Sequence, residues 1–162
     1  MEFECIIRDV KVGGEGIIDL ADLYKYIKSW FIRHNYDLVE KEYLDTLKEE
    51  NKIHSIKWEG DKKIDDYVML KIEVRLKCDN VKEVEVNKKK RSKCNVTFTF
   101  KAYLYKDYES NWENSFIQRF LRAVYDKFII SGKLGAYAKE LKADTFDMVN
   151  EVKSYLKLHK LR

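Results

Sequence analysis

Val68, Leu70, Ile72, Val74, Leu76 and Cys78 are apolar at successive even positions, and Lys71, Glu73, Arg75 and Lys77 between them are charged. Side chains of an extended chain alternate between two faces, so this segment reads as a strand with one greasy face and one wet face. Cys94, Val96, Phe98, Phe100, Ala102 and Leu104 repeat the pattern with the same parity, against Asn95, Thr97, Thr99 and Lys101. Strands of this kind need a second layer over the greasy face. The expectation is an α+β domain: one mostly antiparallel sheet with helices packed on its even-numbered face.

The remaining elements follow from local pattern. Residues 2–12 alternate imperfectly, with Phe3, Cys5 and Ile7 on one parity and Val10 and Val12 on the other, as in a strand bulged near Asp9 or covered on both faces. Gly13-Gly14-Glu15-Gly16 is expected to break it. Asp19 is placed to cap a helix that carries Leu20, Leu23, Tyr24, Ile27, Trp30, Phe31 and His34 at spacings of three and four. Residues 36–49, with Leu38, Val39, Tyr43, Leu44 and Leu47, fit a second helix, although Tyr36 to Tyr43 could start extended. Ile56 and Trp58 then lead to a turn at Gly60-Asp61 and a strand over 64–78.

Parity suggests the hairpins. An odd loop at 79–81 would set Leu76 against Val84, Val74 against Val86, Arg75 against Glu85 and Lys77 against Glu83, and a loop at 87–93 would bring Val86 near Cys94. Ser110-Asn111-Trp112-Glu113 reads as a capping box for a long helix across the sheet. That helix carries Trp112, Phe116, Phe120, Val124 and Phe128, widened by Ile117, Leu121 and Ile129. Gly132 is expected to end it, a short segment to follow over 134–141, and Asp144 to cap a last helix with Phe146, Val149, Val152, Leu156 and His159. The predicted order is β-α-α-β-β-β-β-α-α, with about five strands in a single domain over residues 1–162.

Composition limits the function classes. The chain has 32 Lys and Arg against 28 Asp and Glu, a net +4, so any affinity for polyanions must be local. Cys5, Cys78 and Cys94 are an odd count inside apolar patterns, read as small buried hydrophobes in a reducing compartment. The acidic N-terminus, Met1-Glu2-Phe3-Glu4, and the lack of a long apolar run point to a cytoplasmic protein without a membrane span.

No motif carries chemistry. His34, His54 and His159 are dispersed and the cysteines stand alone, so no metal, cofactor or catalytic residue is expected and the chain reads as a non-enzyme. Gly13-Gly14-Glu15-Gly16 lacks the followers of a phosphate loop, and Asp65-Asp66 next to Lys62-Lys63 has nothing to orient it, so both read as connections. Lys101, Tyr103 and Tyr105 lie in a row whose tyrosine rings could stack on bases, though tyrosines at a strand end more often cover an edge or pack under a helix.

Two binding surfaces remain. Lys88, Lys89, Lys90, Arg91 and Lys93 concentrate charge at one loop and could contact nucleic acid or a ribonucleoprotein; a solvated hairpin tip is the plainer account. Trp30, Phe31, Phe98, Phe100, Trp112, Phe116 and Phe120 could line an apolar pocket between sheet and C-terminal helix, or simply fill the core. A protein partner or a homo-oligomer formed through an edge strand or the C-terminal helix is compatible with both.

The order of strand, helical segment, antiparallel strands and long C-terminal helix is similar in outline to the helix-grip fold of START-like ligand-binding domains. That resemblance implies a cavity between the last helix and the sheet, although those domains usually have more strands and none of their motif residues is carried here. Ile56-Lys57-Trp58, Lys63-Ile64-Asp65-Asp66-Tyr67, Asp107-Tyr108-Glu109 and Trp112-Glu113 resemble stretches of small archaeal proteins of unknown activity. The combined expectation is a non-enzymatic binding or assembly module.

Overall fold

A computed structural model describes residues 1–48, 51–112 and 114–158, and the expectations placed on Glu113 and His159 lie outside them. The elements in chain order are strand β1 (Glu2–Ile18), helix α1 (Leu20–Arg33) and strands β2 (Asp37–Lys48), β3 (Asn51–Lys63), β4 (Val68–Val86) and β5 (Lys89–Lys106). Helix α2 (Phe116–Tyr125), a π-helical turn (Asp126–Ile130) and helix α3 (Ser131–Leu158) follow. All five strands pair antiparallel in the order β1-β5-β4-β3-β2. The α+β class, the single sheet and the greasy even face all hold: Val68 to Cys78 and Cys94 to Leu104 bury every even position.

Bulges account for most departures from the expected elements. The described part of the segment expected to be helical, residues 36–48, is not a helix: Asp37–Lys48 forms edge strand β2. Leu38 pairs with Gly60 and Tyr43 with Ile56, so both face the same side, and the register slips between Glu40 and Glu42. The inserted residue breaks strict alternation, and Val39, Tyr43 and Leu47 at spacings of four then imitate a helical stripe. The pairing that β3 offers along its edge then outweighs local preference.

The expected turn at 79–81 is likewise a bulge. Asp79 pairs with Asn95 and Lys82 with Lys93, so Asn80 and Val81 oppose Cys94 alone, and Asn80 takes the positive φ of 53° that such a bulge needs. β4 runs on through the bulge, which shifts the alternation, so Val84 and Val86 pair with odd-numbered Arg91 and Lys89 and leave the even inner face on which they were expected.

The chain reverses later, at Asn87-Lys88, both with positive φ, in a two-residue turn joining Val86 to Lys89 rather than a loop over 87–93. Val84 and Val86 thus face Arg91 and Lys89, and Glu85 faces Lys90. The expected pairs Leu76 with Val84, Val74 with Val86, Arg75 with Glu85, Lys77 with Glu83 and Val86 with Cys94 do not form.

The glycines also behave differently. β1 runs through Gly13-Gly14-Glu15-Gly16, with Gly14 opposite Val96 and Gly16 opposite Cys94 on the inner face. A side chain on Gly14 would meet Leu156 of α3 at 3.8 Å, an ordinary contact distance, so that helix passes directly over this part of β1. The bulge expected near Asp9 is present, with register slips on both sides of Ile7.

Gly60 is not at a turn but within β3. A Cβ there would stand 2.2 Å from the Phe31 ring, so the glycine is the seat for that side chain. The reversal between β3 and β4 comes after it, where Asp65 Oδ1 accepts from the backbone N–H groups of Tyr67 and Val68 at 2.8 and 2.7 Å.

α1 begins as expected, with the Asp19 carboxylate accepting from the N–H groups of Ala21 and Asp22. It buries Leu23, Ile27, Trp30 and Phe31. α3 lies across β1, β5 and β4 and contributes Leu141, Met148, Val149, Val152 and Tyr155 to the core. Gly132 and Asp144 sit inside the continuous helical path instead of bounding it. Asp144 accepts a 2.9 Å hydrogen bond from the Tyr36 hydroxyl, which explains an acid in mid-helix.

Candidate functional site

α2 is capped by Ser115, the residue immediately before its first, Phe116. Ser115 Oγ accepts from the N–H of Gln118 at 3.2 Å. The proposed cap at Ser110 is a loop residue with φ of 56°, and the preceding Asp107 carboxylate takes the N–H groups of Asn111 and Trp112.

From Ser115 onward the sequence is strongly amphipathic, yet the helix turns the opposite way to the expectation. Phe116 is 83% exposed, Phe120 62% and Phe128 73%, with Ile117, Leu121, Val124 and Ile129 also open to solvent. The buried side chain of α2 is Arg122, 8% exposed.

Arg122 explains this orientation. Its Nε donates to the Tyr67 hydroxyl at 3.2 Å, and its terminal nitrogens stand 3.2 Å from Glu2 and 3.7 Å from Asp107. Tyr67 in turn donates to Asp126. Lys106 closes the group at 3.2 Å from Glu2 and 3.7 Å from Asp126. Burial, then the Asp126 hydrogen bond, holds the Tyr67 phenol well above its ordinary value of 10.0, so it stays protonated and able to donate. The Lys106 hydrogen bond, helped by Arg122, keeps Glu2 below the usual glutamate value against the opposing effect of burial.

Around the ionic group, Trp112 stacks on Tyr125 at 6.1 Å and Tyr67 meets Tyr125 edge-on at 5.2 Å. Turning α2 over would place an arginine's charge in water and leave Asp107, 1% exposed, with one fewer cation beside it. Desolvated charges resist losing their partners, so the polar contacts fix which side faces out.

The π turn extends the outward face. A π turn holds more residues than an α turn, so the chain rotates less per residue. Phe128 stays in line with Val124, Ile129 lies beside Leu121, and Ile130 turns inward to 1% exposure. The result is a continuous apolar surface from Phe116 to Ile129, displayed on a helix that the Arg122 group clamps to the end of the sheet.

The expected pocket residues separate. Trp30, Phe31, Phe98 and Phe100 are packed in the core, Trp112 is half-buried, and Phe116 and Phe120 stand outside. The basic hairpin also looks different in space. Lys88, Lys89 and Lys90 are exposed at the tip, but Lys90 lies across from Glu85, and Arg91 pairs with Asp19 at the start of α1. Lys93 faces Lys82.

The odd face of the sheet is charge-paired as expected, through different partners. Lys57 lies 3.2 Å from Glu59 and 3.4 Å from Glu73, and Lys71 3.2 Å from Glu59 and 3.5 Å from Asp61. Tyr103 and Tyr105 gather with Phe3 at the β1 edge, at 5.8 and 5.6 Å. Cys78 and Cys94 are buried as expected, whereas Cys5 is exposed near the start of edge strand β1, outside the core. His34 stacks on Trp30 at 4.0 Å, and His54 sits in β3 near Tyr43.

The exposed α2 face was within reach of sequence reasoning through one signal. Arg122 falls on the side opposite Phe120 and Val124, beside Tyr125 and Asp126, and a polar group able to bond buried acids competes with a greasy stripe for the inner side. No helix among the described residues is long and apolar enough to cross a membrane. Compared with known proteins, the chain matches no protein family, no curated protein and no solved structure.

Proposed function

We propose that this chain is a non-enzymatic docking module whose binding surface is the outward face of α2 and the π turn. The observation that carries the reading is the inversion of α2: seven apolar side chains, three of them phenylalanine, stand in solvent as one surface while an arginine is buried beneath them. Soluble monomers rarely leave a contiguous apolar face of this kind uncovered unless something binds there. The clamp at Arg122 adds a second support, because a helix already held in position loses little freedom on binding.

This reading keeps the binding-module expectation and moves its apolar surface from the interior to the outside. A C-terminal helix laid across an antiparallel sheet supports the helix-grip analogy in outline. Free thiols at Cys5, Cys78 and Cys94 suit a reducing cytoplasmic setting.

The test is a photoreactive phenylalanine analogue at position 120, with a control at the exposed charged position 77, irradiated in cells that express the protein natively. A discrete adduct, whether to a protein, to a second copy or to lipid, is expected at 120 and not at 77. Absence of any adduct at 120, or equal labelling at both positions, overturns the reading.

A further inference from the structure

The docking face carries its own charge signature, and this names the partner. Between Glu113 and Glu140 the chain has five basic residues, Arg119, Arg122, Lys127, Lys133 and Lys139, and one acid, Asp126. That is 5 − 1 = +4, which equals the net charge of the whole chain, so the remainder balances at 27 basic and 27 acidic residues. Asp126 is taken up by Tyr67 and Lys106, and Glu140 by Lys62 at 2.6 Å. Arg119, Lys127, Lys133 and Lys139 are exposed. The outward face therefore carries exposed cations at Arg119 and at Lys127, whose ammonium lies 5.4 Å over the Phe128 ring, and Lys133 and Lys139 follow on α3.

Resting on the docking reading above, we propose that the α2 face lies on the surface of an anionic lipid bilayer, its phenylalanines in the headgroup boundary and its lysines and arginines against the lipid phosphates. A helix with a wide apolar side, a basic border and low mean hydropathy is what an interfacial helix requires. The face is two rows wide, Phe116, Phe120, Val124 and Phe128 beside Ile117, Leu121 and Ile129. A helix that docks in a protein groove presents a narrower line of anchors.

A second copy is disfavoured by the same charges. Two-fold pairing through this face would set Arg119 and Lys127 of each copy against a matching cationic rim, and like charges brought together at an interface are costly.

The test is flotation with two kinds of vesicle, pure phosphatidylcholine and phosphatidylcholine with one-third phosphatidylserine, using the full chain. The wild type is expected to float with the anionic vesicles, to release them as salt rises, and to bind the neutral ones at least tenfold more weakly. Phe120→Ser with Phe128→Ser should abolish flotation. Arg119→Gln with Lys127→Gln should weaken anionic binding by roughly fivefold for each charge removed. Lys77→Gln serves as an unchanged control, and circular dichroism confirms that every variant is folded.

Equal binding to both vesicles, or undiminished binding by the double serine variant, overturns the proposal. If the wild type floats with neither vesicle while position 120 crosslinks to a protein, to a nucleic acid or to a second copy, the membrane proposal fails and the docking reading stands. If neither vesicles nor crosslinking report a contact, both fail.

Discussion

In α1, Leu23, Ile27, Trp30 and Phe31 point into the core and the charged side points to water; in α2, Phe116, Phe120 and Leu121 point to water and Arg122 points in. Both helices have an acceptor at the N-cap and apolar residues at spacings of three and four. What separates them is the surface each one meets. α1 crosses a strand with a glycine seat at Gly60, into which Phe31 fits. α2 meets the end of the sheet, where Glu2, Lys106, Asp107 and Tyr67 offer hydrogen bonds and charge instead of apolar area. Amphipathicity defines two sides of a helix, and the receiving surface decides which one is buried.

Four variants, three single and one double, test this contrast. Phe31→Ala in α1 empties a fully buried ring site and should cost about 3–5 kcal/mol in denaturant unfolding. A cost close to zero would mean that α1 is no better packed than α2. Arg122→Met in α2 leaves Asp107 and Tyr67 short of a partner and should cost about 1–3 kcal/mol. Amide exchange across 116–130 should quicken with it while α1 keeps its protection, and uniform change in both helices would show that the clamp is not local.

Away from both helices, Glu59→Gln should cost less than about 1 kcal/mol, because it touches an ion group at the sheet surface. Burial alone would raise the Glu59 pKa, but hydrogen bonds from Lys71 and Lys57 outweigh it and lower the value below 4.5. A carboxylate whose folded pKa is depressed stabilises the fold fully above its unfolded pKa. That contribution fades as pH falls through the folded value. Glu59→Gln should therefore be less sensitive to acid than the wild type below about pH 4.5, read as a flatter stability curve; an identical acid limb would exclude the ion group as a source. Smallest of all, Phe120→Ser with Phe128→Ser should change stability by no more than about 0.5 kcal/mol per site, because neither ring packs on anything that it would leave empty. A loss as large as that of Phe31→Ala would place α2's face in the core.

The sheet was legible in the sequence wherever alternation was uninterrupted, from Val68 to Cys78 and from Cys94 to Leu104. It failed at the bulges. The slip beside Glu40 broke the alternation of β2 and left Val39, Tyr43 and Leu47 at spacings of four, and the positive-φ Asn80 passed for a turn because a bulge interrupts alternation within a strand as a loop does between strands. Near Asp9 the same irregularity was recognised, because apolar residues of both parities flank it closely. α1 was read correctly from Asp19 to Trp30. For α2 the stripe was read correctly and its direction was not, because direction depends on Asp107, Glu2 and Tyr67, which lie far from Arg122 in sequence and meet it only in the folded chain. The basic run at 88–93 looked concentrated for a similar reason: Asp19 and Glu85 come alongside it only through tertiary pairing.

The outward orientation of α2 is the central claim, and solvent paramagnetic relaxation tests it most directly. A soluble gadolinium chelate added to dilute protein should broaden the ring resonances of Phe116, Phe120 and Phe128 strongly and leave those of Phe31, Phe98 and Phe100 sharp. Protection of the three α2 rings equal to that of Phe98 would contradict the account.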